Sequence, residues 1–279
     1  MSNLLPELVI FTDLDGTLLD PVTYSCEKVS PTVESLQQRG IPIVFCSAKT
    51  RAEQEVYLKK LGIPDPFIVE NGGAIFISED YFPFRFDYHK VYGAFQVIEL
   101  GSPYFEIRRI LEQVRAEVGV NFKGFGDMSA EEVAKETGLD LEAAQHAKER
   151  EYDETVKLEG TPEEIGRVLQ AVKKAGLNYA HGGRYYDVMG GNDKGRATSI
   201  LIDLFRKKLG QVKTVGIGDS LNDLPMLSVV DIPILVQKPG EWWEEVDLPN
   251  LNRVKGVGPE AWNQTIKELL GGISPDRNC

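Results

Sequence analysis

The run Leu8–Thr12 is apolar without interruption and leads into Asp13, and Ile41–Cys46 does the same ahead of Ser47. Short apolar runs of this kind predict buried strands. Between them, Ser30–Arg39 has helical spacing, with Val33 and Leu36 on one side, Pro31 early and Gly40 just past the end. The three segments therefore predict one βαβ unit of a parallel sheet. A second helix, Arg51–Leu61, is stopped by Gly62 and Pro64, and Phe67–Val69 predicts a strand running into Glu70-Asn71-Gly72-Gly73. Far downstream the alternation returns. Gly195–Leu209 predicts a helix, Val212–Ile217 a strand, Asp219 an acidic turn followed by a short helix toward Val229, and Ile232–Val236 one more strand.

The middle of the chain has a different pattern. Ala94–Leu100, Thr155–Glu159, Leu177–Ala180 and Tyr185–Met189 read as strands interleaved with two helices, Glu106–Val118 and Glu163–Ala175. Ala130–Glu149, rich in Ala and Glu with a break at Gly138, predicts a helical excursion on the surface of this part. The pattern as a whole predicts an α/β protein: a parallel-sheet core from residues 1–85 and 190–279, interrupted by an α/β insertion over 86–189.

A chain of 279 residues with 42% apolar and 27% charged residues can bury a full core. Its net charge of −12 repels polyanions, and no Lys/Arg-dense stripe is present, so nucleic acid is not expected as a partner. An anionic small molecule is not excluded, because a few cations and a metal ion can dominate the field inside a cleft. No apolar run is long enough to span a bilayer, and Met1–Glu7 lacks the pattern of a signal peptide, so a cytoplasmic protein with no membrane partner is expected. No pattern specifies an oligomeric state. Cys26, Cys46 and Cys279 have no Cys-x-x-Cys spacing, which argues against a disulfide framework or a zinc site; packing is expected for Cys46 and no role for Cys279.

The candidate chemistry lies at the ends of the predicted strands. In Asp13-Leu14-Asp15-Gly16-Thr17 two carboxylates stand two apart where a buried strand ends, the edge at which open parallel sheets bind ligands. Two aspartates so close repel each other, and a cation between them keeps both ionised; oxygen ligands suit Mg²⁺. A bare Asp-x-Asp, taken alone, reads first as a pair of exposed turn residues. Ser47, Lys194 at the start of a helix, and Gly218-Asp219-Ser220-Leu221-Asn222-Asp223 occupy other element ends. Ser47 alone also reads as a helix cap for a segment starting at Ala48. Lys194 alone reads as a solvated lysine, although it opposes its own helix dipole, a misfit that a bound phosphate would relieve.

In this order, these residues resemble the four signature motifs of the haloacid dehalogenase superfamily. The resemblance implies a Rossmann-like core carrying an α/β cap. It implies Asp13 as nucleophile, Asp15 as general acid and base, Ser47 and Lys194 as phosphate ligands, and Asp13, Asp15 and Asp219 as the Mg²⁺ site, with Asn222 and Asp223 nearby. Ser47-Ala48-Lys49-Thr50-Arg51, Glu70-Asn71-Gly72-Gly73-Ala74, Arg150-Glu151-Tyr152-Asp153-Glu154 and Gly190-Gly191-Asn192-Asp193-Lys194-Gly195 further resemble the mannosyl-3-phosphoglycerate phosphatases. That likeness implies a sugar-phosphate substrate that also carries a carboxylate.

Lys49, Arg51, Arg150 and Arg184 are the candidate cations for the second anion, since an Arg fork grips a carboxylate in a bidentate way. Arg150 also reads as a surface pair with Glu154 at i,i+4 spacing. Asn71, followed by two glycines, is a candidate substrate ligand or a turn residue. His181 reads as structural or as a residue facing the core, and Trp242 and Trp243 as packing. The competing functions are a phosphatase of another sugar phosphate, such as a glucosyl-3-phosphoglycerate or sucrose phosphate, a phosphomutase, and a non-catalytic phosphosugar-binding module.

Overall fold

The computed structural model describes residues 7–182 and 184–272; Gly183 and Cys279 lie outside the described residues. The first part of the chain forms β1 (Glu7–Thr12), α1 (Ser30–Gln38), β2 (Ile43–Cys46), α2 (Arg51–Leu61), β3 (Phe67–Val69), β4 (Ala74–Ser78), β5 (Lys90–Tyr92) and β6 (Phe95–Glu99). The middle forms α3 (Tyr104–Val118), β7 (Lys123–Gly124), α4 (Ala130–Thr137), α5 (Leu141–Lys148), β8 (Asp153–Lys157), α6 (Pro162–Lys174), β9 (Asn178–Gly182) and β10 (Tyr185–Met189). The chain then returns through α7 (Lys194–Leu209), β11 (Val212–Gly218), α8 (Leu224–Leu227), β12 (Ile232–Gln237), β13 (Asn252–Val257) and α9 (Pro259–Gly272).

The nine-stranded sheet has the order β13-β12-β11-β1-β2-β3-β4-β6-β5. From β13 to β3 the strands are parallel, and β4, β6 and β5 close the edge in antiparallel fashion. β1 lies inside this sheet and is apolar throughout because both of its faces are covered. Leu8 and Ile10 pack with Val33 of α1, Leu58 and Leu61 of α2 and Trp262 of α9. Val9 and Phe11 pack with Ala197, Leu201 and Phe205 of α7 and Leu227 of α8.

The structure moves one strand between sheets. The sequence pattern puts 94–100 in the insertion, yet β6 pairs with β4 from Ala74↔Glu99 to Ser78↔Phe95, so the large sheet continues past residue 85. The cause is local. Glu70 and Asn71 both hold positive φ, 48° and 56°, and Gly72 follows at 91°, so the chain reverses after β3 and returns as β4. Gly72 has a second reason to be glycine: a Cβ there would stand 2.3 Å from the backbone of Asp193.

The second sheet, β7-β8-β10-β9, is antiparallel throughout. Val156 and Val188 turn to one side, where Ile107 and Leu111 of α3 and Val168 and Val172 of α6 cover them. Strand alternation sends Thr155 and Asp187 the other way, and both border a cleft shared with Asp13 and Asp15. The predicted helical excursion is α4 and α5, separated by Gly138 at φ 83°. It has its own small apolar cluster of Phe125, Met128, Val133, Ala144 and Ala147. Among the described residues no helix is long and apolar enough to cross a membrane.

A carboxylate fastens the two sheets together. Glu70, fully buried, accepts from three consecutive backbone N–H groups: Glu151 (3.0 and 3.1 Å), Tyr152 (2.7 Å) and Asp153 (2.9 Å). Its own carbonyl accepts from Asn192 Nδ2 at 2.7 Å, and the same amide reaches Tyr152 O at 3.0 Å. Removing the Glu70 side chain strands three donors, two buried and the Glu151 N–H partly buried, each buried one costing about 1–3 kcal/mol. Glu70→Ala is therefore expected to lower unfolding free energy by more than about 3 kcal/mol in urea titrations; a loss near zero would show that the clamp does not hold the segment.

Candidate active site

Asp13 directly follows β1, and its N–H donates to Ile217 O of β11 at 2.9 Å, which ties its backbone to the neighbouring strand. Gly16, at φ 76°, turns the chain after it; a Cβ there would stand 3.0 Å from Asp219 Oδ2, so glycine lets the loops after β1 and β11 meet. Lys194 is the first residue of α7. Its place is set by Asp193, whose side chain caps the helix by accepting from Gly195 N (2.7 Å) and Arg196 N (3.1 Å). Lys194 Nζ lies 3.0 Å from Asp13 Oδ1 and 2.7 Å from Asp223 Oδ1 and is almost wholly buried. The other oxygen of Asp223 accepts from the N–H groups of Asp219 and Ser220, both at 3.1 Å.

The carboxylate oxygens of Asp13, Asp219 and Asp223 lie within 4.8 Å of one another, all buried. Burial, then the charge of Asp223, pushes the Asp13 carboxyl well above its usual range against the pull of Lys194. The same two causes push Asp219 up to about 7. For Lys194, burial favours the neutral amine, but Asp13 and Asp223 outweigh it and the ammonium is stabilised. One ammonium against three carboxylates leaves negative charge uncompensated, and the donors are all hard oxygens, so these residues fit Mg²⁺. The carboxylate of Asp15 is not among them. Its Oδ2 lies 3.1 Å from Lys49 Nζ, while its Oδ1 is buried with no hydrogen-bond partner among the described residues.

Lys49 is held between Asp15 and Glu53, whose Oε1 is 3.2 Å away, and these two carboxylates keep it charged despite burial. Ser47 is buried behind it, its N–H donating to Ile68 O (3.2 Å) and its Oγ accepting from Lys49 N (3.3 Å). Ser47 does not cap a helix: α2 begins at Arg51 and is capped by Thr50, paired reciprocally with Glu53.

The cleft, of about 490 Å³, is bordered by Asp13, Asp15, Ser47, Lys49, Arg150, Arg184 and Asp219. Arg150 is not paired with Glu154; its Nε donates to Asp153 Oδ1 (2.8 Å) and its Nη2 to Ala48 O (3.0 Å). Arg184 is exposed at the rim, 5.5 Å from the ring of Tyr185. Two candidates are spent elsewhere. Arg51 donates to Glu151 (2.9 Å), Glu55 (3.0 Å) and Tyr92 OH (3.0 Å) and does not border the cleft. Asn71 donates to Asp187 Oδ2 (3.1 Å) and accepts from Asn222 Nδ2 (3.2 Å).

His181 stacks on Tyr186 at 4.3 Å, and neither it nor Trp242 or Trp243 borders the cleft. Tyr24, Thr155, Asp187 and Lys238 do border it and were not foreseen. Asp187, a charge in the middle of a strand, and Lys238, just past the end of β12, carried signals that the pattern offers; Tyr24, in a loop at φ 55°, carried none.

The raised carboxyls set a pH dependence. At low pH both folded and unfolded chains are protonated; as pH rises past the ordinary carboxyl range, the unfolded chain releases protons that the fold retains, so stability falls. Without divalent ions, the melting temperature is expected to drop between pH 5 and pH 8 by more in the wild type than in Asp219→Asn. Mg²⁺ at pH 8 is expected to raise it in the wild type. Calorimetry with chelator or Mg²⁺ checks this, and equal pH dependence in the two proteins would contradict it.

Among curated relatives, a glucosyl-3-phosphoglycerate/mannosyl-3-phosphoglycerate phosphatase of Methanococcoides burtonii is 48% identical over 94% of this chain and 97% of its own. A mannosyl-3-phosphoglycerate phosphatase of Pyrococcus furiosus is 43% identical over 82% of this chain and 90% of its own. Two solved structures share the fold: Thermoplasma acidophilum 0175, at TM-score 0.65, 17% identity and coverage of 95% of this chain and 99% of that one, and a haloacid dehalogenase-like hydrolase from Bacteroides thetaiotaomicron, at TM-score 0.65, 14% identity and coverage of 95% and 99%. The family model for haloacid dehalogenase-like hydrolases matches residues 10–239, a span from β1 to the loop after β12 that holds every residue of the acidic cluster, and the chain belongs to that family.

Proposed function

We propose that the protein is a cytoplasmic, Mg²⁺-dependent phosphatase that hydrolyses mannosyl-3-phosphoglycerate or glucosyl-3-phosphoglycerate to the glycosylglycerate and phosphate, through an acyl phosphate on Asp13. The observation that carries this reading is the buried Asp13 carboxylate beside Lys194, Asp219 and Asp223, in one cleft with the Asp15–Lys49 pair. The activities for which the relatives are named supply the substrate.

In this reading Asp13 attacks phosphorus and the sugar-acid oxygen departs with the proton of Asp15. Burial raises the Asp15 carboxyl above its usual range, with Lys49 opposing, which suits a group that must hold a proton and then give it up. Asp15 next takes a proton from a water that attacks phosphorus, which releases phosphate and restores Asp13. Lys194 and Ser47 hold the phosphoryl oxygens, and Lys194 offsets the charge that develops on them. Asp13 and Asp219, with Asp223 beside them, would hold a Mg²⁺ ion, which would supply positive charge against those same oxygens.

The glycerate carboxylate needs cations of its own. Lys49, Arg150 and Arg184 border the cleft and take that role, whereas Arg51 does not border it and holds α2 against Glu151. Residues 100–189, which carry the smaller sheet, act as the cap that closes over the sugar, and 1–99 with 190–279 as the catalytic core.

Phosphate release from mannosyl-3-phosphoglycerate, glucosyl-3-phosphoglycerate, mannose 6-phosphate and sucrose 6-phosphate, with Mg²⁺ and with chelator, tests the reading. Selective, metal-dependent release from a glycosyl phosphoglycerate is expected, with Asp13→Asn slower by more than about 10⁴-fold. Release only from the other two sugars removes the substrate assignment, and full activity of Asp13→Asn removes the mechanism.

A further inference from the structure

Asp187 stands in the middle of β10. The residue is 8% exposed and borders the cleft. Oδ1 accepts from the Thr155 hydroxyl at 2.8 Å, and Oδ2 from the Asn71 amide at 3.1 Å. An ionised carboxylate has room for about four hydrogen bonds, so half of its capacity is left for the cleft. The nearby guanidinium of Arg150 is turned to Asp153 and Ala48 instead. A buried carboxylate that is only partly satisfied is costly unless donors reach it, and a group that only accepts repels phosphate and carboxylate alike. Hydroxyls are the part of a glycosylated phosphoglycerate that it can receive.

We infer that Asp187 is a specificity-determining residue that accepts hydrogen bonds from ring hydroxyls of the substrate's glycosyl group, with Thr155 and Asn71 as its positioning residues; this rests on the function proposed above. The cleft then has two poles. Lys49, Arg150 and Arg184 take the anions, and Asp187 on the smaller sheet takes the sugar. Its position is coupled to the acidic cluster, because Asn71 also accepts from Asn222 at 3.2 Å, in the loop that carries Asp219 and Asp223. The sugar-reading carboxylate is therefore in register only when the smaller sheet is docked on the ends of β3 and β11, which lead into Asn71 and Asn222.

The test compares kcat/KM for glucosyl-3-phosphoglycerate, a set of its mono-deoxyglucosyl derivatives and p-nitrophenyl phosphate, in the wild type and in Asp187→Asn. The substitution keeps side-chain size and an acceptor for Asn71 but removes the charge. The ratio of the glycosyl ester to p-nitrophenyl phosphate is expected to fall by roughly 10- to 150-fold, the range for a hydrogen bond to a charged group. On at least one deoxy derivative the variant should lose no more, because the hydroxyl it reads is gone. An unchanged ratio, or the same penalty on every derivative, overturns the inference and leaves the substrate reading in place. A wild type with no preference for the glycosyl ester overturns both. Should Asp187→Asn fail to fold, the wild type alone decides: one deoxy derivative must lose tenfold or more, and a flat series overturns the assignment.

Discussion

The ammonium of Lys194 is the one cation among the described residues within hydrogen-bond distance of the carboxylates of Asp13 and Asp223. A lysine at the first position of a helix works against the helix dipole, and burying it costs more. Both costs are met only because three buried carboxylates converge there from the ends of β1 and β11. The arrangement fixes the backbone around it. Gly72 must lack a side chain for the Asp193–Lys194 turn to pass, Gly16 must lack one for Asp219 to approach, and Asp193 must cap α7 so that its first residue faces the sheet edge. The parallel sheet serves the site by bringing those strand ends together.

A second charge set stands apart from the first. Asp15, Lys49 and Glu53 form a chain in which each carboxylate is answered by the one ammonium, while Lys194 pairs with Asp13 and Asp223, and with Asp219 beside them that cluster retains an excess of negative charge. The Asp15–Lys49–Glu53 set suits proton movement; the Asp13–Asp219–Asp223 set suits a divalent cation. Keeping them apart lets neighbouring aspartates, two residues away from each other, carry different chemistry. The smaller sheet adds a third element, joined to the core through Glu70 and Asn192 and through the Asn222–Asn71–Asp187 hydrogen bonds.

The strand ends were legible because a strand buried on both faces leaves an unbroken apolar run, and the residue after it is the first that can be polar. That logic found Asp13, Ser47 and Asp219, and the helix start at Lys194. It failed where long-range pairing decides. Nothing local says that Phe95–Glu99 joins β4 rather than the smaller sheet, and β5, β7 and β13 are short or exposed and lack a strong pattern. Direction was equally hidden. Arg51 and Lys49 are two residues apart, yet one faces Glu151 and the other the cleft, because α2 begins between them. Glu70 and Asn71 stood out as a motif, but their work as clamp and relay depends on segments some eighty to a hundred and fifty residues away.

The central claim is that Asp13, kept within reach of Lys194 and a divalent ion, carries the phosphoryl group between substrate and water. A single turnover with substrate labelled in its phosphoryl group, quenched in acid within the first half-life and mapped by peptide, tests it most directly. The account predicts acid-stable, base-labile label on the peptide that holds Asp13. Label found only in free phosphate at every time point, with none on the protein, would contradict it and point to direct attack by water.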